Sequence, residues 1–179
     1  KAIVSAHDKA VPVTLETATG RISDLSFNRR FLLSDGKVRT NPGVGNRSIV
    51  KSVGPIDPEL HTVLIKRSGD DALLGVVSNF AVHSDTRGGT GFSADYPGVL
   101  ARELEKELGD EVVSLFLQGA SGDLNHVNVR KGSERLKTDG IGGRLAQEIL
   151  SMKDQRKAVA APGLGASSEV VYAPLQSYN

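Results

Sequence analysis

Four residues, spread over three segments of the sequence, are of types that support hydrolytic chemistry. His83 directly follows an apolar run, and a neutral imidazole is a common zinc ligand. The segment 118–125, QGASGDLN, holds Asp123, which could orient a histidine by accepting its N–H, and Asn125, which could donate to an oxyanion. Arg29 lies inside a third, apolar segment, where it could clamp a carboxylate, a phosphate or a developing oxyanion.

Each of these residues also has a purely structural interpretation. The histidine could be hydrogen-bonded at the end of a strand, and the aspartate and asparagine could satisfy their own backbone in a turn. The arginine could form a structural ion pair. Function therefore depends on whether the fold brings these side chains together.

Ser121 raises the alternative of a serine hydrolase, although Gly122 stands one place too early for the second glycine of the G-x-S-x-G turn. The segment 140–143, GIGG, is similar to a dinucleotide-binding turn, but no strand precedes it and Leu145 stands where a small residue belongs. The other histidines, which show no metal-ligand spacing, are His7, His61 and His126. If His83 binds zinc, most of its partner ligands are not recognisable in this chain.

The elements around these residues are predicted to bring two of the segments to one edge of a sheet. The apolar runs 73–82 and 111–117 predict strands buried on both faces, and 99–108 predicts a helix between them. Such a βαβ unit has parallel strands and a right-handed crossover. The loops that follow, His83–Tyr96 and Gln118–Asn128, should therefore face one crevice, where ligands bind in open α/β sheets.

The remaining patterns complete an α/β fold with a mixed sheet and at least one right-handed βαβ crossover. Asp95 is placed near the N-cap of the crossover helix, and Gly109 is placed at its end. Further predicted strands are 11–15, 60–66 (in a hairpin with 73–82) and 169–175, and further predicted helices are 1–11 and 142–152.

Composition excludes several classes of protein. Apolar residues make up 39% of the 179 residues and charged residues 24%, which is typical of a globular chain rather than a disordered one. The longest nearly apolar stretch, 72–82, is about half of what a bilayer requires. The absence of Cys excludes disulfides and thiolate metal sites. A net charge of +1, with no Trp, argues against a partner that is a nucleic acid.

The two ends predict that residues 1–179 are the central part of a larger domain. The sequence begins with Lys1 and has no recognisable signal peptide. The first predicted helix lacks an N-cap, and the last predicted strand lacks a partner. We therefore expect both ends to be truncated and the domain to be partial.

Five segments, in order, resemble the neutral/alkaline non-lysosomal ceramidase family, and the similarity is closer to bacterial ceramidase-like proteins than to proven ceramidases. The segments are FNRR (27–30), GPIDPE (54–59), NFAVH (79–83), SADYPG (93–98) and FLQGASGDLN (116–125). The resemblance implies the central part of the catalytic domain of a zinc-dependent amidase, which cleaves the N-acyl bond of ceramide or a related lipid amide.

The resemblance also implies roles for single residues. That family holds zinc with two His, a Glu and a Tyr, and His83 matches the second His, so the other ligands are expected outside this chain. Arg29 matches an Arg near the reacting amide, and Asp123 would shape the crevice together with Asn125. Asn125 stands where animal enzymes carry a nucleophile-like Ser, and His126 replaces the usual Pro of bacterial relatives. With one ligand, the chain alone should be inactive.

The implied partners are a lipid amide such as ceramide and a membrane surface, and the implied location is secreted or periplasmic. Two alternatives stay open at this point. One is a non-catalytic domain of the same fold that binds a lipid or a partner. The other is a related hydrolase of other amides or esters. The sequence does not indicate an oligomeric state.

Overall fold

The computed structural model describes residues 1–130, 132–133, 136–163 and 165–175. The helices of this part are α1 (Ala2–Asp8), α2 (Asp95–Leu108) and α3 (Thr138–Ser151), followed by a 3-10 turn at Met152–Gln155. The strands are β1 (Val13–Arg21), β2 (Phe27–Asn28), β3 (Arg30–Leu33), β4 (Val38–Thr40), β5 (Ile49–Ser52), β6 (Glu59–Arg67), β7 (Leu73–Phe80), β8 (Val113–Gln118), β9 (Leu124–Asn125) and β10 (Lys157–Ala158).

The main sheet has five strands in the order β10-β1-β6-β7-β8. Neighbouring strands run antiparallel except β7 and β8, which run parallel. β6 and β7 form the predicted hairpin, with Val63 opposite Val77. Two smaller sheets pair β2 with β9, and β3 with β4 and β5. The predicted α/β class with a mixed sheet is confirmed.

Helix α2 connects the parallel strands β7 and β8, as the predicted βαβ unit requires. Its apolar stripe includes Leu100 and Leu104, which are fully buried. Gly109 follows the helix with a φ of 112°, a backbone conformation that glycine adopts without a Cβ penalty. Phe80 at the end of β7 lies opposite Gln118 at the end of β8, so the two following loops start side by side.

The core lies between the main sheet and the helices α2 and α3. It joins Leu60 and Phe80 of the sheet with Leu100, Leu145 and Ile149 of the helices, and each of these side chains is at most 1% exposed. Apolar burial of this kind is the main stabilising contribution, at roughly 1.5–3 kcal/mol for each large side chain.

The other face of the sheet is exposed along β8, which is the edge strand. Val113, Leu115 and Leu117 are 67%, 52% and 46% exposed. The prediction that the strand 111–117 is buried on both faces is therefore wrong. In the described part of the chain, α2 and α3 pack on one face only, and strand β8 has a neighbour on one side only.

The terminal segments pack little. α1 confirms the predicted helix, but none of its residues is buried. The predicted strand 169–175 is wrong, because this segment is irregular and exposed, and a strand needs a hydrogen-bonded neighbour. The second predicted helix is confirmed, but it begins at Thr138 rather than at residue 142. Within the described ranges no helix is both long and apolar enough to cross a bilayer.

Gly142 permits the close contact between α3 and α2. A Cβ atom at this position would lie 2.5 Å from Val99 Cβ and 2.7 Å from the Tyr96 carbonyl oxygen, whereas one at Gly143 would meet no atom within 4 Å. We expect Gly142→Ala to lower the free energy of unfolding by about 1–3 kcal/mol through overpacking. Gly143→Ala should raise it by about 0.5–1 kcal/mol through helix propensity. Urea unfolding measures both, and equal stability of the two variants would contradict the close packing.

Candidate active site

The loops that follow β7 and β8 meet at the carboxyl edge of the sheet, as predicted. Nδ1 of His83 lies 3.2 Å from Oγ of Ser121. The hydroxyl of Ser84 donates to Oε1 of Gln118 at 3.3 Å. Ser121 is buried and His83 is half-buried. Two of the segments identified in the sequence therefore form one site.

The residue before His83 is anchored from two other elements. Nε2 of Gln118, at the end of β8, donates to the carbonyl of Val82 and also to Oγ of Ser121, the latter at 3.2 Å. The hydroxyl of Tyr96, in α2, donates to the same Val82 carbonyl at 2.7 Å. These bonds fix the backbone from which the His83 side chain projects.

Tyr96 should make the stability of the chain fall in strong alkali. Its side chain is fully buried, and this burial raises its pKa to about 12. The unfolded chain releases this proton at its ordinary pKa of 10.0. Between pH 10 and about 12, ionisation therefore favours the unfolded chain, and stability falls as the pH rises. Urea unfolding across this range should be less pH-dependent in Tyr96→Phe, and identical slopes would contradict the prediction.

The loop 83–96 closes on the carboxylate of Asp95. This carboxylate accepts hydrogen bonds from Thr86 N at 2.9 Å, Thr86 Oγ1 at 2.8 Å and Arg87 N at 3.1 Å, and from the backbone N–H of Tyr96 at 2.8 Å. Burial by itself would raise the pKa of Asp95, but these hydrogen bonds outweigh it and hold the pKa below its ordinary value of 3.8. Asp95, predicted near the N-cap, is the first residue of α2 and binds the loop.

Arg29 contacts the loop that follows β8. The short strands β2 and β9 bring it there, and Phe27 pairs with Asn125 between them. Its backbone N–H donates to the carbonyl of Asp123 at 2.8 Å, and its Nη2 donates to the carbonyl of Gly122 at 2.6 Å. Its guanidinium forms no ion pair with any described residue. The structural ion pair that the sequence left open for Arg29 is therefore not formed within the described part of the chain.

Asp123 is hydrogen-bonded to an asparagine rather than to a histidine. Its Oδ2 accepts from Nδ2 of Asn28 at 2.7 Å. Gly54 packs against this pair so closely that a Cβ there would lie 2.5 Å from the Asn28 amide nitrogen and 2.9 Å from the Asp123 oxygen. The structure thus differs from the prediction that Asp123 orients a histidine, because β2 places an amide donor next to the carboxylate.

Asn125 shares a cavity of about 220 Å³ with Arg29. Its Nδ2 donates to Oδ1 of Asn41 at 2.8 Å, and its Oδ1 accepts from the backbone N–H of Val127 at 2.9 Å. These bonds hold the amide in the cavity wall and engage one of its two N–H groups. The structure therefore brings Asn125 together with Arg29, which lies in neither of the two loops predicted to face one crevice.

Two further residues of this cavity, Asp85 and His126, were not among the predicted site residues. The imidazole of His126 is 3% exposed, and its Nδ1 lies 3.0 Å from Oδ1 of Asp85. The two atoms are close but lack the alignment of a hydrogen bond. The signal available in the sequence was the position of His126 directly after Asn125, where the resembling bacterial proteins carry Pro. The contact links the loop after β7 to the loop after β9.

The described residues include candidate zinc ligands but no complete zinc site. No group of three or more His, Cys, Asp or Glu side chains that could hold a metal occurs among them. The contact with Ser121 engages Nδ1 of His83 and leaves Nε2 available. Metal-binding histidines usually use one ring nitrogen for the metal and the other for a hydrogen bond. His83 therefore fits the part of a single ligand, and the rest of a zinc site has to come from outside the described residues.

The chain is similar to the crystal structure of neutral ceramidase from Pseudomonas aeruginosa, with a TM-score of 0.62 and 25% sequence identity over 86% of this chain and 24% of that one. A structure of a ceramidase complexed with C2 matches with the same TM-score and identity, over 84% of this chain and 23% of that one. No protein-family model and no curated protein sequence matches. The chain spans about a quarter of the length of these structures, and it has the ceramidase-like fold that its five sequence segments indicated.

Proposed function

We propose that this chain is part of the catalytic domain of a zinc-dependent amidase that cleaves the N-acyl bond of ceramide or a related lipid amide. The observation that carries the proposal is the position of His83 within a ceramidase-like fold. One ring nitrogen of His83 contacts Ser121 and the other is available to a metal. His83 also lies two residues before Asp85, which lines the cavity that contains Arg29.

The side chains of this site have distinct parts in the proposed reaction. Nε2 of His83 holds the metal together with ligands from elsewhere in the complete protein. The chemistry supplied by bound zinc is polarisation of a carbonyl group and a lowered pKa of water. The guanidinium of Arg29, held by the Gly122 carbonyl, stabilises the negative charge that develops on the amide oxygen. The remaining N–H of Asn125 donates to that oxygen.

We further propose that the substrate carries an apolar acyl chain, is taken from a membrane surface, and is met in a secreted or periplasmic location. A second cavity of about 250 Å³, lined by Phe27, Phe31 and Ile56 among others, supports the first part of this proposal. Val129 lines both this cavity and the one that contains Arg29, so the two adjoin. An apolar cavity of this size suits part of a hydrocarbon chain.

The test uses a longer polypeptide that contains this chain together with the segments that provide the other ligands. Elemental analysis should find about one zinc ion per chain, and N-acylsphingosine should be hydrolysed. A chelator should abolish the hydrolysis, and added zinc should restore it. A panel of N-acyl and O-acyl substrates then distinguishes ceramide from other amides and esters. Full activity in zinc-free protein would contradict the proposal. The absence of both bound zinc and hydrolysis would favour a non-catalytic binding domain.

The contact between Ser121 and His83 favours a second candidate, a serine hydrolase. A serine hydroxyl 3.2 Å from an imidazole is the arrangement of an activated nucleophile. Two observations weigh against it. Ser121 is only 8% exposed, and no described carboxylate forms a hydrogen bond with His83. Labelling of Ser121 by a phosphonate, lost in Ser121→Ala, would establish this alternative.

A further inference from the structure

The amide of Gln118 has one orientation that satisfies its neighbours. Its Nε2 faces the carbonyl of Val82, which can only accept a hydrogen bond. Its Oε1 accepts from the hydroxyl of Ser84. The remaining N–H of the amide therefore points to Ser121, whose Oγ lies 3.2 Å from Nε2. Gln118 acts on Ser121 as a donor.

Because Oγ of Ser121 accepts this hydrogen bond, its own hydroxyl proton has a single acceptor left. A serine hydroxyl has one proton to donate and two lone pairs that accept. The amide of Gln118 occupies one lone pair. Among the described residues, the other polar atom in contact with Oγ is Nδ1 of His83, at 3.2 Å. Ser121 is buried, so a proton without an acceptor would carry a desolvation penalty.

We propose that Gln118 is a positioning residue that makes Ser121 donate to Nδ1 of His83, so that the imidazole proton resides on Nε2 while no metal is bound. A metal can bind through Nε2 only when that nitrogen carries no proton. The hydrogen bond with Ser121 then has to reverse, with Nδ1–H donating to Oγ. The hydrogen bond from Gln118 to Ser121 therefore lowers the affinity of His83 for a metal, a consequence that rests on the proposed zinc site. The location of the proton in the metal-free chain does not depend on it.

Nitrogen NMR of the labelled metal-free chain, with His83 neutral, measures the location of the proton directly. We expect Nε2 to be protonated and Nδ1 to be an acceptor in the wild-type chain. In Gln118→Glu, the carboxylate can only accept, so the hydroxyl of Ser121 donates its hydrogen bond to residue 118. The lone pairs of Oγ then face the imidazole, and the imidazole proton should move from Nε2 to Nδ1. In Gln118→Met, residue 118 no longer donates to Oγ, so Ser121 can donate to or accept from Nδ1, and both tautomers of His83 should be populated.

Asn79→Asp is the matched control, because Asn79 lies on β7 and its amide donates to the Leu117 carbonyl at 3.0 Å. It adds the same charge near β8 without touching Ser121, and it should leave the His83 spectrum unchanged. A wild-type chain with the proton on Nδ1 would overturn the proposal even if Gln118→Glu failed to fold. An unchanged proton position in a folded Gln118→Glu chain would overturn it too.

Zinc affinity in the longer polypeptide tests the consequence. Gln118→Glu should bind zinc about tenfold more tightly than the wild type, which is the scale on which partners of a metal-binding histidine act. Asn79→Asp should bind zinc as the wild type does. If the proton moves as expected but no protein binds zinc, the proposed function fails and the positioning role stands. If the wild type, Gln118→Glu and Asn79→Asp bind zinc with equal affinity, the proposal that Gln118 lowers zinc affinity is overturned.

Discussion

In a polypeptide that supplies the remaining zinc ligands, His83→Ala is expected to lower zinc affinity by more than about 100-fold and to abolish zinc-dependent amide hydrolysis. Changing a residue that merely supports a metal ligand already costs about 10–100-fold in affinity or activity. Removing the ligand itself should therefore cost more, since a catalytic zinc usually has three protein ligands. Elemental analysis and competition with a chelator measure the affinity, and release of the fatty acid measures the activity.

His61→Ala provides the control for this substitution. His61 lies on β6, where it contacts Thr19 and the exposed carboxylate of Glu59, and it is not part of the proposed site. It should leave zinc content and hydrolysis unchanged. Hydrolysis that survives in His83→Ala would remove His83 from the metal site, and labelling of Ser121 by a phosphonate would then become the decisive measurement.

Asp95→Ala is expected to lower the free energy of unfolding by about 3 kcal/mol, a large part of the roughly 5–15 kcal/mol of a typical domain. The substitution removes the acceptor of hydrogen bonds from Thr86, Arg87 and Tyr96. It also places alanine at a φ of 49°, a left-handed conformation that aspartate tolerates better. Urea unfolding measures the loss of stability. Hydrogen exchange should show faster exchange of the backbone N–H groups of Thr86 and Arg87.

The same carboxylate predicts an acid dependence of stability. Because the pKa of Asp95 is lower in the folded chain than its ordinary value of 3.8, its contribution is complete above that pH. The contribution is lost as the pH falls from 3.8 through the lower folded pKa. Asp95→Asn keeps the shape and some of the acceptor capacity, and it should lie between wild type and Asp95→Ala in stability. An Asp95→Ala chain that unfolds at the wild-type urea concentration would show that the loop is held by other contacts.

Local pattern was sufficient to predict the elements with strong periodicity. The hairpin of β6 and β7, helix α2 and the parallel pairing of β7 with β8 follow from apolar runs and turn residues. The sequence pattern gave wrong predictions where burial depends on a neighbouring strand or helix. The segment 169–175 contains the strand-forming residues Val170, Val171 and Tyr172, yet it is exposed and irregular. The apolar residues of β8 are exposed because the helices pack on the other face of the sheet.

For the site, the sequence by itself determined the edge of the sheet at which His83 and Ser121 meet, because the order of strand, helix and strand sets the direction of both strands. It did not determine which polar atoms pair. The contacts of Asp123 with Asn28 and of His126 with Asp85 join residues far apart along the chain. Their formation depends on how the small sheet of β2 and β9 packs and on differences of a few ångströms. Those distances are decided by tertiary packing, and no local pattern of residues encodes them.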